Sequence, residues 1–184
     1  MSPWLSKLKL DPMYRETLNE YMASYEEQEA KIERYDKRIE EIAAEVRYQE
    51  NAKKLGCFLG IRTHTALSLI VETGDFKRFA KGNTHLRCLL IEAAKGICKG
   101  AIGHKSKDLR SRQSGQSAEV IAYADKANTR LRSKYYKMIR HGKKNNVAVA
   151  AVARELACFV WGMMTGNISI ASTAGTSAPD VSQG

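Results

Sequence analysis

The stretch "RSRQSGQS", residues 110 to 117, sets Ser111, Ser114 and Ser117 among Arg110 and Arg112. A serine hydroxyl that attacks a phosphate needs cations nearby to stabilise the charge that develops in the transition state. Ser114, followed by Gly115 in a basic loop, is the residue best provided with them. No histidine stands ready as its base, because His64, His85, His104 and His141 lack a paired nucleophile or a ligand spacing. The simpler reading is a flexible polar loop whose last serine, Ser117, caps the following helix. No catalytic residue is assigned on this basis, and Ser114 stands as the alternative.

The arginines of that loop belong to a larger concentration of charge. From His104 to Lys144 twelve lysines and arginines face only Asp108, Glu119 and Asp125, so this stretch holds nine of the ten net positive charges of the 184-residue chain. Such a field attracts polyanions, and each phosphate neutralised on a nucleic acid releases counterions. A nucleic-acid partner is therefore expected.

Other chemistries find less support. Cys57, Cys88, Cys98 and Cys158 each sit in apolar helical sequence without the close pairs that a zinc site uses, so they are expected to be reduced core thiols in a reducing compartment, the cytoplasm. The acids of residues 26 to 50 are spaced as surface charges, and no metal or other cofactor is expected from them. The amino-terminal segment is interrupted by Lys7, Lys9 and Asp11, unlike a signal peptide, and no uncharged apolar run reaches membrane-spanning length.

Helices must position the basic surface, because helical spacing recurs along the chain and strand alternation does not. Leu18, Tyr25, Ile32, Ile39 and Val46 lie seven apart, with Tyr21, Gln28, Tyr35 and Ile42 three residues after the first four. This is a heptad seam, and it predicts a coiled coil through residues 18 to 46. Next, "KKLGCFLGIRTHTALSLIVETGD" predicts a helical hairpin turning at Gly60 and Ile61, with Ala66, Leu67, Ile70 and Val71 facing inward. Such a helix-hairpin-helix would point turn amides and a helix amino terminus at a phosphate. Arg62 stands where the usual pattern has a second glycine. Asn83 predicts the cap of a helix that buries Leu86, Leu90 and Ile97. Residues 118 to 141 predict a second with a basic outer face, and "NNVAVAAVARELACFVWGMM" a central core helix.

The succession "LGIRTHTALSLIVETGDFKRF", "KGNTHLRCLLIEAA" and "RSRQSGQSAEVIAYADKANTRLRSKYYKMIRHGKKNNVAVAAVARELACFVW" resembles the C-terminal region of transposases of the insertion-sequence 110/116/902 family. The preceding "WLSKLKLDPMYRETLNEYMASYEEQEAKIERYDKRIEEI" is similar to the coiled-coil segment of those proteins. The resemblance implies DNA recombination guided by a structured RNA. It also implies an amino-terminal RNase H-like domain whose carboxylates hold magnesium, and a catalytic serine in the C-terminal domain. In similar proteins "GD-x-x-RF" and "GN-x-H-x-R" are separated by a few tens of residues that hold the nucleophile. Here Arg78 and Phe79 run almost directly into Lys81, Gly82 and Asn83. An internally shortened transposase without its carboxylate domain is the expectation.

The expected fold is all-α, with a long coiled-coil helix in residues 1–52. A helix-hairpin-helix-like motif and a small helical bundle follow in 53–165, and a disordered tail in 166–184. Expected contacts to DNA, or to a structured guide RNA, are Arg62, Thr63, Thr65, Lys77, Arg78, Lys81, Asn83, His85 and Arg87, aided by Arg110, Arg112, Lys143 and Lys144. The seam is expected to pair chains as a homo-oligomer or with a full-length transposase. The alternative function is a structural or regulatory oligomer.

Overall fold

The computed structural model describes residues 4–76 and 83–168. Lys77, Arg78 and Lys81, and the segment 169–184 of the expected tail, lie outside the described residues. The described residues form an all-α fold of seven α-helices without a strand. The chain makes two units, Met1–Glu45 and Val46–Gly184, so the division falls before the expected boundary at residue 52.

The first unit is dominated by α1, Pro12–Ala43. The Asp11 side chain accepts from the Met13 N–H, and Pro12 fits the first turn, where its missing N–H costs nothing. Glu, Lys and Arg on the outer positions favour helix and pair along it, as Arg38 with Glu41 at 2.9 Å. Ala43 is the one buried residue of α1. The helix ends there, so Val46, expected to close the seam, belongs to the next helix and is 97% exposed. Tyr21, Tyr25, Ile32 and Tyr35 of the seam are exposed.

In the second unit, α2 (Val46–Leu55) and α3 (Thr63–Thr73) pack as a hairpin, and α4 (Thr84–Cys98), α6 (Ala118–Arg140) and α7 (Asn145–Met164) complete the bundle. Leu55, Phe58, Ile61, Leu69, Ile97, Leu131, Val152 and Leu156 form its fully buried centre. The inward face of α3 is rotated from the expected one. Leu69 is buried and Val71 is exposed, because α3 lies against both α2 and α4. α7 is long and apolar enough to cross a membrane by length and composition, yet it is a core helix: Ala148, Val152, Leu156, Val160 and Met163 bury against α4 and α6.

Three further expectations are corrected. The loop before α6 contains a short helix, α5 (Lys107–Gln113), because Ser106 caps the Leu109 N–H and the Leu109 side chain is buried. Cys57 and Cys98 are buried, and burial pushes both thiols up to about 11, but Cys88 and Cys158 are exposed rather than core. Finally, residues 166–168 of the expected tail finish α7. Gly166 takes φ 75°, the Asn167 N–H donates to the Gly162 carbonyl, and Ile168 packs on the core.

The hairpin meets α4 at a glycine pair. A Cβ built on Gly60 would lie 1.9 Å from the Ala93 carbonyl oxygen, and one on Gly96 would lie 3.0 Å from the Gly60 Cα. Neither obstacle is a side chain that can swing aside. Gly60→Ala is therefore expected to destabilise the second unit by about 3 kcal/mol or more, an overpacking cost, measured by chemical denaturation. A loss below about 0.5 kcal/mol, typical of a surface change, would contradict this packing.

Candidate nucleic-acid interface

The turn between α2 and α3 would normally leave a cluster of backbone groups unsatisfied. In this chain the carbonyls converge on Arg112. Its Nη1 donates to the Gly56 and Ile61 carbonyls at 2.6 Å each and to Phe58 at 3.3 Å, and its Nη2 donates to Leu59 at 3.3 Å. Gln113 and Asn128 donate to the Cys57 carbonyl, at 3.2 and 3.4 Å, and the Asn128 side-chain oxygen accepts the Leu59 N–H at 3.0 Å. The amides of Cys57 and Phe58 bond to the Lys54 and Leu55 carbonyls at the end of α2, and that of Ile61 to the Phe58 carbonyl. The amides of Cys57, Phe58, Leu59 and Ile61 are therefore used internally and are not free to cradle a phosphate. Arg112, expected to face nucleic acid, is an internal clamp, and burial lowers its pKa from the ordinary value.

What remains outward at the hairpin is the start of α3. Arg62 occupies the cap position without a side-chain cap, and Thr63 and His64 are exposed, with Thr65 half-buried. A cation at a helix amino terminus opposes the helix dipole, which an incoming anion would relieve. Asp108 Oδ2 lies 3.3 Å from both Arg62 and Arg112, so α5 and the hairpin exit meet there. Exposed Lys107 and Arg110 flank that carboxylate in sequence on α5.

A second group sits at the start of α4. The Asn83 oxygen caps the Leu86 N–H at 3.0 Å, while its Nδ2 donates to Glu72 Oε2 at 3.0 Å. His85 Nδ1 lies 2.7 Å from Glu72 Oε1. Hydrogen bonds from Asn83 and His85 hold the Glu72 carboxyl below its ordinary value. Asn83 and His85 are thus engaged by an acid at the end of α3, while Arg87 is exposed on α4.

The third group runs along α6 and into α7. Arg132 is buried and clamps the end of α4, with Nε donating to Ile97 at 2.8 Å, Nη1 to Ala101 at 2.6 Å and Nη2 to Lys99 at 2.5 Å. Arg130 and Lys134 both bind Glu155 of α7, the lysine at 2.6 Å. Burial alone would push the Glu155 carboxyl up, and the bonds from Lys134 and Arg130 outweigh it, so its pKa is lowered. Lys105 pairs with Asp125 at 2.7 Å. Of the twelve cations in this stretch, five are thereby consumed. Lys107, Arg110, Lys126, Lys137, Arg140, Lys143 and Lys144 are exposed and have no acidic partner among the described residues. Lys126 and Lys137 were visible in the sequence as part of a basic helix face but were not assigned as contacts.

Ser114 follows α5 as an exposed residue whose N–H donates to Arg110 and Ser111. Its hydroxyl has no base beside it among the described residues. No group of three or more His, Cys, Asp or Glu side chains that could hold a metal ion occurs among the described residues.

Against known proteins, the chain is 32% identical over 172 aligned positions to the transposase for insertion sequence element IS1533 of Leptospira borgpetersenii, covering 77% of this chain and 49% of that one. The chain is similar to insertion-sequence transposases. A second relative, y4qE of Sinorhizobium fredii, also named as a transposase, is 40% identical over 80 residues, 44% of this chain and 20% of its own. The chain thus spans about half the length of one curated relative and a fifth of the other. In the first comparison, 77% of 184 residues is about 142, so about 30 of the 172 positions are residues of the relative that this chain lacks. No family model matches, and no solved structure does.

Two outcomes test this division of the cations. Arg112→Ala is expected to cost about 3 kcal/mol of stability, because buried turn carbonyls lose a charged donor, whereas Arg110→Ala should stay within about 0.5 kcal/mol. Equal losses in denaturation midpoint would contradict it. For Glu155 the folded pKa lies below the unfolded one, so its stabilisation is present above the ordinary carboxylate value and is lost as pH falls through the folded one. Glu155→Gln, with both cations partly solvated, is expected to lose about 1 kcal/mol at pH 7. The gap to the parent chain should close on acidification, and a gap that widens would show the sign to be wrong.

Proposed function

We propose that this chain is a nucleic-acid-binding part of an insertion-sequence transposase of the 110/116/902 family, acting in DNA transposition and recombination and unable to cleave alone. The observation that carries the reading is the sorting of its cations in a chain similar to a transposase. Those used for stability clamp backbone carbonyls or pair with acids, and among the described residues seven are left unpaired on the surface of α5, α6 and the link to α7. DNA is the proposed partner, and a structured guide RNA a second polyanion for the same surface. The site works in the cytoplasm.

Its contacts are to the backbone, because exposed lysines and arginines on helix faces neutralise phosphates without reading base edges. Arg62, Thr63 and Thr65 approach at the α3 amino terminus, and Arg87, Arg110, Lys143 and Lys144 add further contacts. Lys126 and Lys137 extend the surface along α6. Arg112 is withdrawn from the set, as is any role for Asn83 beyond capping.

The account of cleavage rests on about 30 positions present in the relative and absent here. We place them between Phe79 and Asn83, where the two motifs abut. The catalytic serine and its surroundings would belong to that lost segment. Magnesium would belong to a carboxylate domain of the full-length protein. The exposed Tyr21, Tyr25, Ile32 and Tyr35 of α1 support pairing with a second copy or with a full-length transposase. That pairing is also what a regulatory role would use.

Affinity for duplex DNA should fall tenfold or more between 50 and 200 mM salt if about three or more phosphates are neutralised. It should change little with sequence, as gel shifts or anisotropy would report. Binding indifferent to salt would refute the interface. Supercoiled plasmid with magnesium should yield no covalent protein–DNA adduct, and an adduct abolished by Ser114→Ala would make the α5 loop an active site. Ile32→Lys combined with Ile39→Lys should give a monomer in light scattering, and an unchanged mass would reject the seam.

A further inference from the structure

Outside the basic surface, α6 and α7 enclose an open groove of about 830 Å³. Tyr123 contributes from α6; Arg154, Cys158 and Trp161 contribute from α7 at helical spacing. Gly162 and Asn167 close the lower end. No acidic residue lines it. Trp161 is 39% exposed, an unusual cost for an indole at a surface with nothing on it.

The groove is built rather than incidental. A Cβ on Gly162 would lie 2.3 Å from the Tyr123 hydroxyl, so the glycine is what lets the tyrosine lie against α7. Phe159 holds that ring edge to face at 5.6 Å. Asn167 is fixed by its N–H bond to the Gly162 carbonyl, and its carboxamide has no partner among the described residues. Arg154 likewise has no acidic partner among them, since the neighbouring Glu155 points to Arg130 and Lys134.

A flat aromatic surface, a free amide and an unpaired guanidinium together suit one class of ligand. We propose that this groove takes an unpaired nucleobase of a single strand, stacked on Trp161, edge-bonded by Asn167, with the adjoining phosphate on Arg154. Stacking on an aromatic ring tolerates any base, and the cation supplies the charge match. This rests on the nucleic-acid reading above and adds a preference for strands with exposed bases. A second copy of the chain is the competing occupant, because the groove is also apolar.

The test uses the full chain with Trp4→Phe, leaving Trp161 as the sole tryptophan of the two. Fluorescence is followed while a labelled oligothymidylate, an abasic strand of equal length and a blunt duplex are added, with anisotropy reporting binding. Trp161 emission should be quenched to saturation by oligothymidylate alone, although all three bind. Trp161→Ala should weaken the single strand about tenfold and leave the duplex unchanged. A variant that also carries Cys88→Ser keeps Cys158 as its exposed thiol, since Cys57 and Cys98 are buried. Alkylating it with a bulky maleimide should block quenching without altering duplex binding, and this needs no change to the core. Quenching by the abasic strand or the duplex to the same extent would overturn the proposal. So would single-strand binding with no quenching, or an alkylated protein whose mass halves while its single-strand affinity stays. Failure to bind any of the three would remove the nucleic-acid reading itself.

Discussion

The second unit depends on one guanidinium. Arg112 reaches from α5 into the turn between α2 and α3 and gathers four of its carbonyls, more than fifty residues away in sequence. Phe58 and Ile61 of that turn are fully buried, and a buried carbonyl without a donor costs about 1–3 kcal/mol. Burying an arginine is itself unfavourable, so the arrangement holds only because the carbonyls converge. Once the turn is fixed, Gly60 can sit on Gly96, and the hairpin acquires one position on α4. The start of α3, with Arg62, follows directly from the turn whose carbonyls that clamp gathers.

Arg132 repeats the solution at the carboxyl end of α4, where orphan carbonyls and the negative end of the helix dipole both favour a cation. Two arginines of one basic stretch thus serve the fold, while their neighbours serve the surface. A net charge of +10 describes the whole chain and overstates what a partner would meet. The similarity to transposases gives this field a candidate polyanion, and the α6 face supplies cations that carry no structural duty.

Local physics made much of the fold legible. Asn83 and Ser117 were readable as caps because the capping bond spans three residues, and the core stripes of α4, α6 and α7 follow from helical period. The heptad pattern announced α1, though not its end, since the break at Ala44 leaves the seven-residue spacing of Val46 intact by coincidence. The inward arginines were not readable. Arg110 and Arg112 differ by two positions on a short helix, and only the distant turn decides which one is drawn inward. The exposure of Cys88 and Cys158 escaped for a similar reason, because an apolar helix does not announce which of its faces lacks a neighbour. Of the candidate site, sequence supplied the cations and the structure supplied their division into clamps, pairs and free charges.

The central claim is that particular cations, and not the net charge, meet nucleic acid. Lysine acetylation read by mass spectrometry, with and without a short duplex at low salt, addresses it residue by residue. The account predicts protection of Lys107, Lys126, Lys137, Lys143 and Lys144, with Lys31 and Lys37 of α1 acetylated as freely as before. Uniform protection across the chain, or protection confined to α1, would contradict it.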